Sequence, residues 1–140
     1  MVKKSLSIVI PCYNEEEGIP HLVQKLNPAL LDLEKEYLVE LILVDDGSSD
    51  KTNQLLQHYF GSNPKAKIVT HEKNQNLGAA LRTGFAHATG DYIAALDSDC
   101  TYDPSLIIHL VKLLDENTDI ATVSPYHPQG TISNVPGYRI

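Results

Sequence analysis

No apolar run in this 140-residue sequence approaches the roughly 18 residues that a membrane-spanning helix needs, so the chain reads as soluble and cytoplasmic, without a transmembrane segment. Basic residues are scarce: 11 Lys and Arg stand against 18 Asp and Glu, a formal charge of −7, and no stripe of cations is visible. Nucleic acid is thereby excluded as a partner, because affinity for it comes mostly from Lys and Arg on phosphates. The same deficit means that an anionic ligand needs a bound cation at its site. Cysteine occurs only as Cys12 and Cys100, without zinc-ligand spacing, and both are expected as free, partly buried thiols. Low-complexity tracts and internal repeats are absent, and with 42% hydrophobic residues the chain is long enough to bury one core as a single domain.

What is present is an alternation of short apolar strands and amphipathic helices. Residues 6–10 read as a first strand, almost continuously apolar as central parallel strands are. Ile19, Leu22, Val23 and Leu26 follow at helical spacing, with Pro20 tolerated in the first turn, and Asn27-Pro28 predicts a kink or a break. Residues 41–44 are a second strand, followed by Asp45-Asp46-Gly47-Ser48-Ser49-Asp50 and a helix through Leu55, Leu56 and Tyr59 that Gly61 closes. Residues 65–70 are a third strand, whose lysines suit a sheet edge. Residues 76–88 are a third helix, 91–96 a fourth strand and 120–123 a fifth. Between the last two, a fourth helix runs from Pro104 to Asp115 with Leu106, Ile107, Leu110, Val111 and Leu114 inward. Strands separated by helices imply right-handed crossovers and a mostly parallel sheet flanked by helices, with the first four strands in the order 3-2-1-4.

Ligands of such sheets sit at the carboxyl ends of the strands, where the strand order reverses. Three loops are expected to meet there, 11–15, 45–50 and 97–103, and they carry the acidic clusters. Asp97-Ser98-Asp99 places two hard oxygen ligands one residue apart at the end of a buried strand, which suits Mg2+ or Mn2+ and through the cation a diphosphate. The plainer reading is a turn-capping Asp97 and a solvated Asp99. The histidines are scattered without metal spacing and receive no catalytic role, His127 beside Tyr126 being the nearest to an exception.

Pro11-Cys12-Tyr13-Asn14-Glu15, Val44-Asp45-Asp46-Gly47-Ser48, residues 74–84 with Ala79-Ala80-Leu81-Arg82, Gly90-Asp91-Tyr92-Ile93 and Asp97-Ser98-Asp99, in this order, resemble the signatures of glycosyltransferase family 2. The resemblance spans nearly the whole chain and is closest to the dolichyl-phosphate mannose synthase-like branch. It implies a GT-A fold, Rossmann-like, with this chain as its nucleotide-binding half, and metal-assisted, inverting transfer of a sugar from a nucleoside-diphosphate sugar. By position, Pro11, Tyr13 and Glu15 would line the nucleoside pocket, the Tyr13 ring offering a flat surface to the base. Asp46, with the backbone at Val44, would bind base or ribose, helix capping with Ser48 or Ser49 being its structural alternative. Asp99 would be the main metal ligand, with Asp97 near ribose and metal-linked phosphates and Ser98 contributing a backbone contact. The branch implies a polyprenyl-phosphate acceptor and work at the cytoplasmic face of a membrane.

Three positions depart from the family pattern. Thr101 stands where relatives often carry Gln, Pro125 where they often carry an Arg that meets the diphosphate, and Asn76 where many have Gly; asparagine tolerates the left-handed backbone that the last position demands. No residue after Asp119 is acidic, so the final segment offers no catalytic base, and the chain is expected to be a nucleotide-sugar-binding domain whose polypeptide continues past Ile140. Sugar-phosphate nucleotidyl transfer and a non-catalytic nucleotide-binding module are the alternatives. The first usually opens with a glycine-rich loop after the first strand, and Pro11 to Glu15 contains no glycine.

Overall fold

A computed structural model describes residues 2–114 and 116–124. Four strands, β1 (Lys4–Cys12), β2 (Tyr37–Asp45), β3 (Ala66–Thr70) and β4 (Tyr92–Ala95), form one sheet in the order β3-β2-β1-β4. Every neighbouring pair is parallel, with Lys4 opposite Tyr37, Leu6 opposite Tyr92 and Leu41 opposite Ala66 setting the register. The connections are α1 (Ile19–Glu34), α2 (Thr52–Phe60) and α3 (Asn76–His87), and α4 (Leu106–Lys112) follows β4. The order inferred from the alternation of apolar runs is the order observed.

Because successive side chains of a strand point to opposite faces, β1 and β2 feed two cores. Leu6, Ile8 and Ile10 of β1 and Leu41 and Leu43 of β2 face α1, α2 and α4, which bring Leu22, Leu26, Leu56, Phe60, Ile107 and Val111. Val9, Ile42 and Val44 face the other way onto Ala80 of α3. This second core is thin and depends on close approach: a Cβ on Gly84 of α3 would stand 2.2 Å from Val9 Cγ1. At the amino ends of the strands, buried Ser7 donates to Glu40 Oε1 (2.6 Å) and accepts from Gly90 N–H (2.8 Å), while Thr89 donates to Glu40 through both N–H and hydroxyl. This knot fixes where β4 enters the sheet.

Three expectations are corrected. The helix through Asn27-Pro28 is one element of 16 residues with no break. Pro28 removes one backbone hydrogen bond, but Leu22 and Leu26 before it and Ala29 and Leu33 after it are all buried on the same face, and that burial outweighs the loss. Residues 120–123 are not a strand: Ile120 is 81% exposed, and Ala121, Thr122 and Val123 line an apolar groove of about 360 Å³ between β4 and α4. A short apolar run cannot distinguish a sheet ladder from a segment laid over an apolar surface. The fourth helix is shorter than expected. Asp103 accepts from Ser105 N–H, and the next bonds are of the tight i to i−3 kind, so regular helix begins at Leu106 and buries Ile107 and Val111. The expectations placed on Pro125, Tyr126 and His127 lie outside the described residues.

Packing of α3 yields one prediction. Gly84→Ala should destabilise the fold by roughly 1–3 kcal/mol through overpacking against Val9. Gly78→Ala, whose added Cβ meets nothing nearer than Arg82 at 3.9 Å, should be neutral or stabilising. Urea titration of both variants checks the contrast. A second prediction concerns Glu40. Burial alone would raise its pKa, but hydrogen bonds from Ser7 and Thr89 and the charge of Lys67 more than offset it, so the folded-state pKa lies below the ordinary 4.5. A depressed carboxylate stabilises fully above its unfolded pKa and less as pH falls through the folded one. Stability should therefore decline below about pH 4.5, and the decline should be shallower in Glu40→Gln, as equilibrium unfolding across pH 3–6 would show.

Candidate functional site

The carboxyl ends of β1, β2 and β4 open into a pocket of about 400 Å³ lined by Pro11, Cys12, Tyr13, Glu15, Asp46, Asn74, Asn76, Leu77, Ala80, Asp97, Ser98 and Asp99. Seven of the eight candidate residues thus come together in one cavity. The eighth, Val44, is buried in the sheet beneath it, packed in the core under α3. The Tyr13 ring is about half exposed, at 47%, so a flat apolar face is presented to the cavity mouth.

Backbone and side-chain hydrogen bonds sew the first two loops together. Asn14 N–H donates to Ser48 Oγ (3.0 Å), its Oδ1 accepts from Ser49 N–H (2.9 Å), and Glu15 N–H donates to Thr52 Oγ1 (2.8 Å). The adjacent acids of the second loop do different work. Asp45 holds its own turn, accepting from Ser48 N–H and Asn53 Nδ2 (both 3.0 Å). Asp46 reaches the other way: Oδ1 accepts from His71 Nδ1 and Gln75 N–H (both 2.8 Å), and Oδ2 accepts from Asn74 Nδ2 (3.2 Å). The helix-capping alternative for Asp46 is not realised. A fourth loop, 71–75 after β3, therefore belongs to the site. Its sequence carries no acidic pair to announce it; the available signal was Gly47, whose φ of +69° and whose position against Lys73 and Asn74 leave no room for a Cβ.

Strain concentrates at the same rim. Among the described residues the only non-glycine positive φ angles belong to Asn14 (49°), Asn76 (74°) and Cys100 (56°), one in each of three pocket loops. Such conformations cost on the order of 1–3 kcal/mol each and cluster at binding sites. Asn76 adopts the left-handed backbone expected of it. Around Cys100 the turn is held by Asp99 Oδ1, which accepts from Thr101 N–H (3.0 Å) and Thr101 Oγ1 (2.9 Å). Thr101 thereby orients Asp99 and leaves its Oδ2 without a hydrogen-bond partner among the described residues.

Electrostatically the mouth is an uncompensated cluster of acids. Burial and the charge of Asp99 push the Asp97 carboxyl above its ordinary range. Burial, then Asp99 and Asp50, do the same to Glu15. Among the described residues no cation pairs with any of the three. Cys12 forms part of the floor; burial, with the charges of Asp45 and Glu15, lifts its thiol to about 12, so it is a neutral wall and not a nucleophile. Both cysteines are free, as expected. No group of three or more His, Cys, Asp or Glu could enclose a metal ion among the described residues. The donor set instead fits a hard divalent cation held by one or two carboxylates, its remaining positions filled by water and a ligand's phosphates.

Residues 7–139 match the family model Glycosyl transferase family 2. In fold the chain resembles a mannosyltransferase from Pyrobaculum calidifontis, solved with GDP-Man and Mn2+, at TM-score 0.69 and 22% identity over 83% of this chain and 34% of that one. Glucosyl-3-phosphoglycerate synthase from Mycobacterium tuberculosis, solved with Mn2+, UDP and glucosyl-3-phosphoglycerate, is 27% identical with a TM-score of 0.60, over 78% of this chain and 39% of that one. TarS 1-349 of S. aureus in complex with UDP is 27% identical with a TM-score of 0.55, over 68% of this chain and 27% of that one. The chain spans about a third of the length of these relatives. No helix among the described residues is long and apolar enough to cross a membrane.

The unpaired acids predict a trade between stability and binding. Because the folded-state pKa of Asp97 is raised, the native state holds its proton more tightly than the unfolded one, and ionisation at neutral pH opposes folding. Asp97→Asn should therefore melt slightly higher than wild type at pH 7 without added cation. Millimolar Mn2+ should raise the melting temperature of wild type more than that of the variant, and paired thermal scans check both signs.

Proposed function

The chain belongs to glycosyl transferase family 2, and from that premise we propose that it binds a nucleoside-diphosphate sugar as the donor half of an inverting glycosyltransferase dependent on Mn2+ or Mg2+. One observation carries this reading: Tyr13 and Asp46, suited to a nucleoside, line the same 400 Å³ pocket as Asp97 and Asp99, suited to a metal-bound diphosphate. Asp99, steered by Thr101, would hold the cation through Oδ2, with Asp97 beside it. The cation would neutralise the charge that develops on the departing nucleoside diphosphate.

The rest of the work falls to the chain's own side chains. Tyr13 and Pro11 flank the base, and Asp46 accepts a hydrogen bond from the nucleoside. Glu15 and Ser98 close the pocket between the two ends. Among these residues none is placed as the base for an acceptor hydroxyl, and Asp103 is engaged with Ser105 N–H at the start of the fourth helix. The described residues align with only about a third of the relatives' length, and no acceptor site or base is assigned among them. The finer assignment is the dolichyl-phosphate mannose synthase-like branch with a polyprenyl-phosphate acceptor at the cytoplasmic membrane face; its support is the run of sequence motifs.

Calorimetry with UDP and GDP, with and without Mn2+, tests the proposal. Binding should require the cation. Asp99→Asn, which halves the local ligand charge at constant shape, should weaken it about tenfold or more while leaving the melting temperature near wild type. Affinity unchanged by the substitution or by chelation would remove the metal from the mechanism.

A further inference from the structure

The hydrogen-bonding capacity of Asp46 is nearly exhausted before any ligand arrives. An ionised carboxylate has about four acceptor positions, two on each oxygen. Oδ1 has both filled, by His71 Nδ1 and by Gln75 N–H, each at 2.8 Å. Oδ2 has one filled, by Asn74 Nδ2 at 3.2 Å. Counting the described residues, one position remains, on a residue that lines the pocket. Since the carboxylate can only accept, His71 donates to it through Nδ1, and Nε2 is hydrogen-bonded to the Thr83 hydroxyl at 2.7 Å. The imidazole is 9% exposed and the carboxylate 4%, so both are largely shielded from bulk water.

We infer that His71 is a specificity-determining positioning residue. By filling Oδ1 together with Gln75, it leaves Asp46 a single acceptor, so the pocket selects a base with one imide N–H, uracil or thymine, over guanine. This rests on the nucleotide reading of the pocket. Guanine presents two adjacent donors, N1–H and the 2-amino group, and a carboxylate satisfies both only when each oxygen has a free position. An imide presents one N–H between two carbonyls. Asn76 lines the same cavity, and its side-chain amide makes no hydrogen bond to a described residue, so an amide donor is available for one of those carbonyls. The site then offers one acceptor with one donor nearby, enough for an imide N–H and a flanking carbonyl but a mismatch for guanine, whose unmet amino group would be stranded on binding.

The test is competitive calorimetry of UDP, dTDP and GDP in Mn2+ with wild type, His71→Leu, His71→Asn and Thr83→Val, folding being verified by circular dichroism. Wild type should prefer UDP or dTDP over GDP by about tenfold or more, the factor expected for one unmet donor. His71→Leu frees a position on Oδ1 and should bring the ratio within about threefold, whereas His71→Asn, which keeps a donor where Nδ1 was, should retain most of it. A merely structural role for His71 would weaken all three nucleotides together and leave the ratio alone. If the leucine variant does not fold, Thr83→Val supplies the reading: loss of the Nε2 anchor should reduce the preference, and an unchanged ratio would overturn the inference. GDP binding as tight as UDP in wild type would overturn it outright while leaving the nucleotide pocket standing. Failure of all three nucleotides to bind would instead sink the nucleotide reading and the inference with it.

Discussion

The structure turns on a buried carboxylate that must be supplied with donors. Asp46 is 3% exposed, and a charge so enclosed would be prohibitive without hydrogen bonds. Three of its partners, His71, Asn74 and Gln75, come from the loop after β3, and its own backbone N–H donates to Cys12 O at the end of β1. Satisfying one acid therefore draws the loop after β3 over the carboxyl edge of the sheet, and the backbone bond to Cys12 ties Asp46 to the end of β1 beside the cavity. Gly47 permits this by letting the backbone of residues 73 and 74 approach closer than any side chain would allow.

The rest of the mouth shows the opposite electrostatic choice. Asp45 and Asp46 are paired with donors and stable in place, whereas Glu15, Asp97 and Asp99 have no cation paired to them among the described residues, and Glu15 and Asp97 are pushed toward protonation. A fold optimised for stability would not keep them. Three strained backbone positions at the same rim add to that cost, and the sheet below, buried on both faces at β1 and β2, is what holds both in place. In a chain with a formal charge of −7, such a cluster accommodates a diphosphate only with a divalent cation between them.

Fold class, strand order and most of the pocket were legible in the residues alone. Unbroken apolar strands such as 6–10, buried on both faces, leave a parallel sheet as the sole consistent solution, and a parallel sheet fixes which ends of its strands meet a ligand. Asp97, Asp99, Tyr13 and Asp46 could thus be assigned to one edge before any coordinate was known. The misreadings came where local pattern is mute about surroundings. Pro28 breaks a helix in isolation, but not one whose Leu22, Leu26, Ala29 and Leu33 lock onto a sheet. The apolar residues 120–123 resemble a strand, yet Ala121, Thr122 and Val123 lie along a groove and Ile120 is exposed.

What only the tertiary structure decided is which polar atoms are already spent. Nothing in the spacing of Asp46, His71, Asn74 and Thr83 reveals that they converge, because they sit on different elements and meet only when β2 and β3 pair and α3 folds back across them. A sequence states which side chains can accept a hydrogen bond. Packing determines how many acceptor positions remain for a ligand, since each short contact made inside the protein removes one from the surface offered outside.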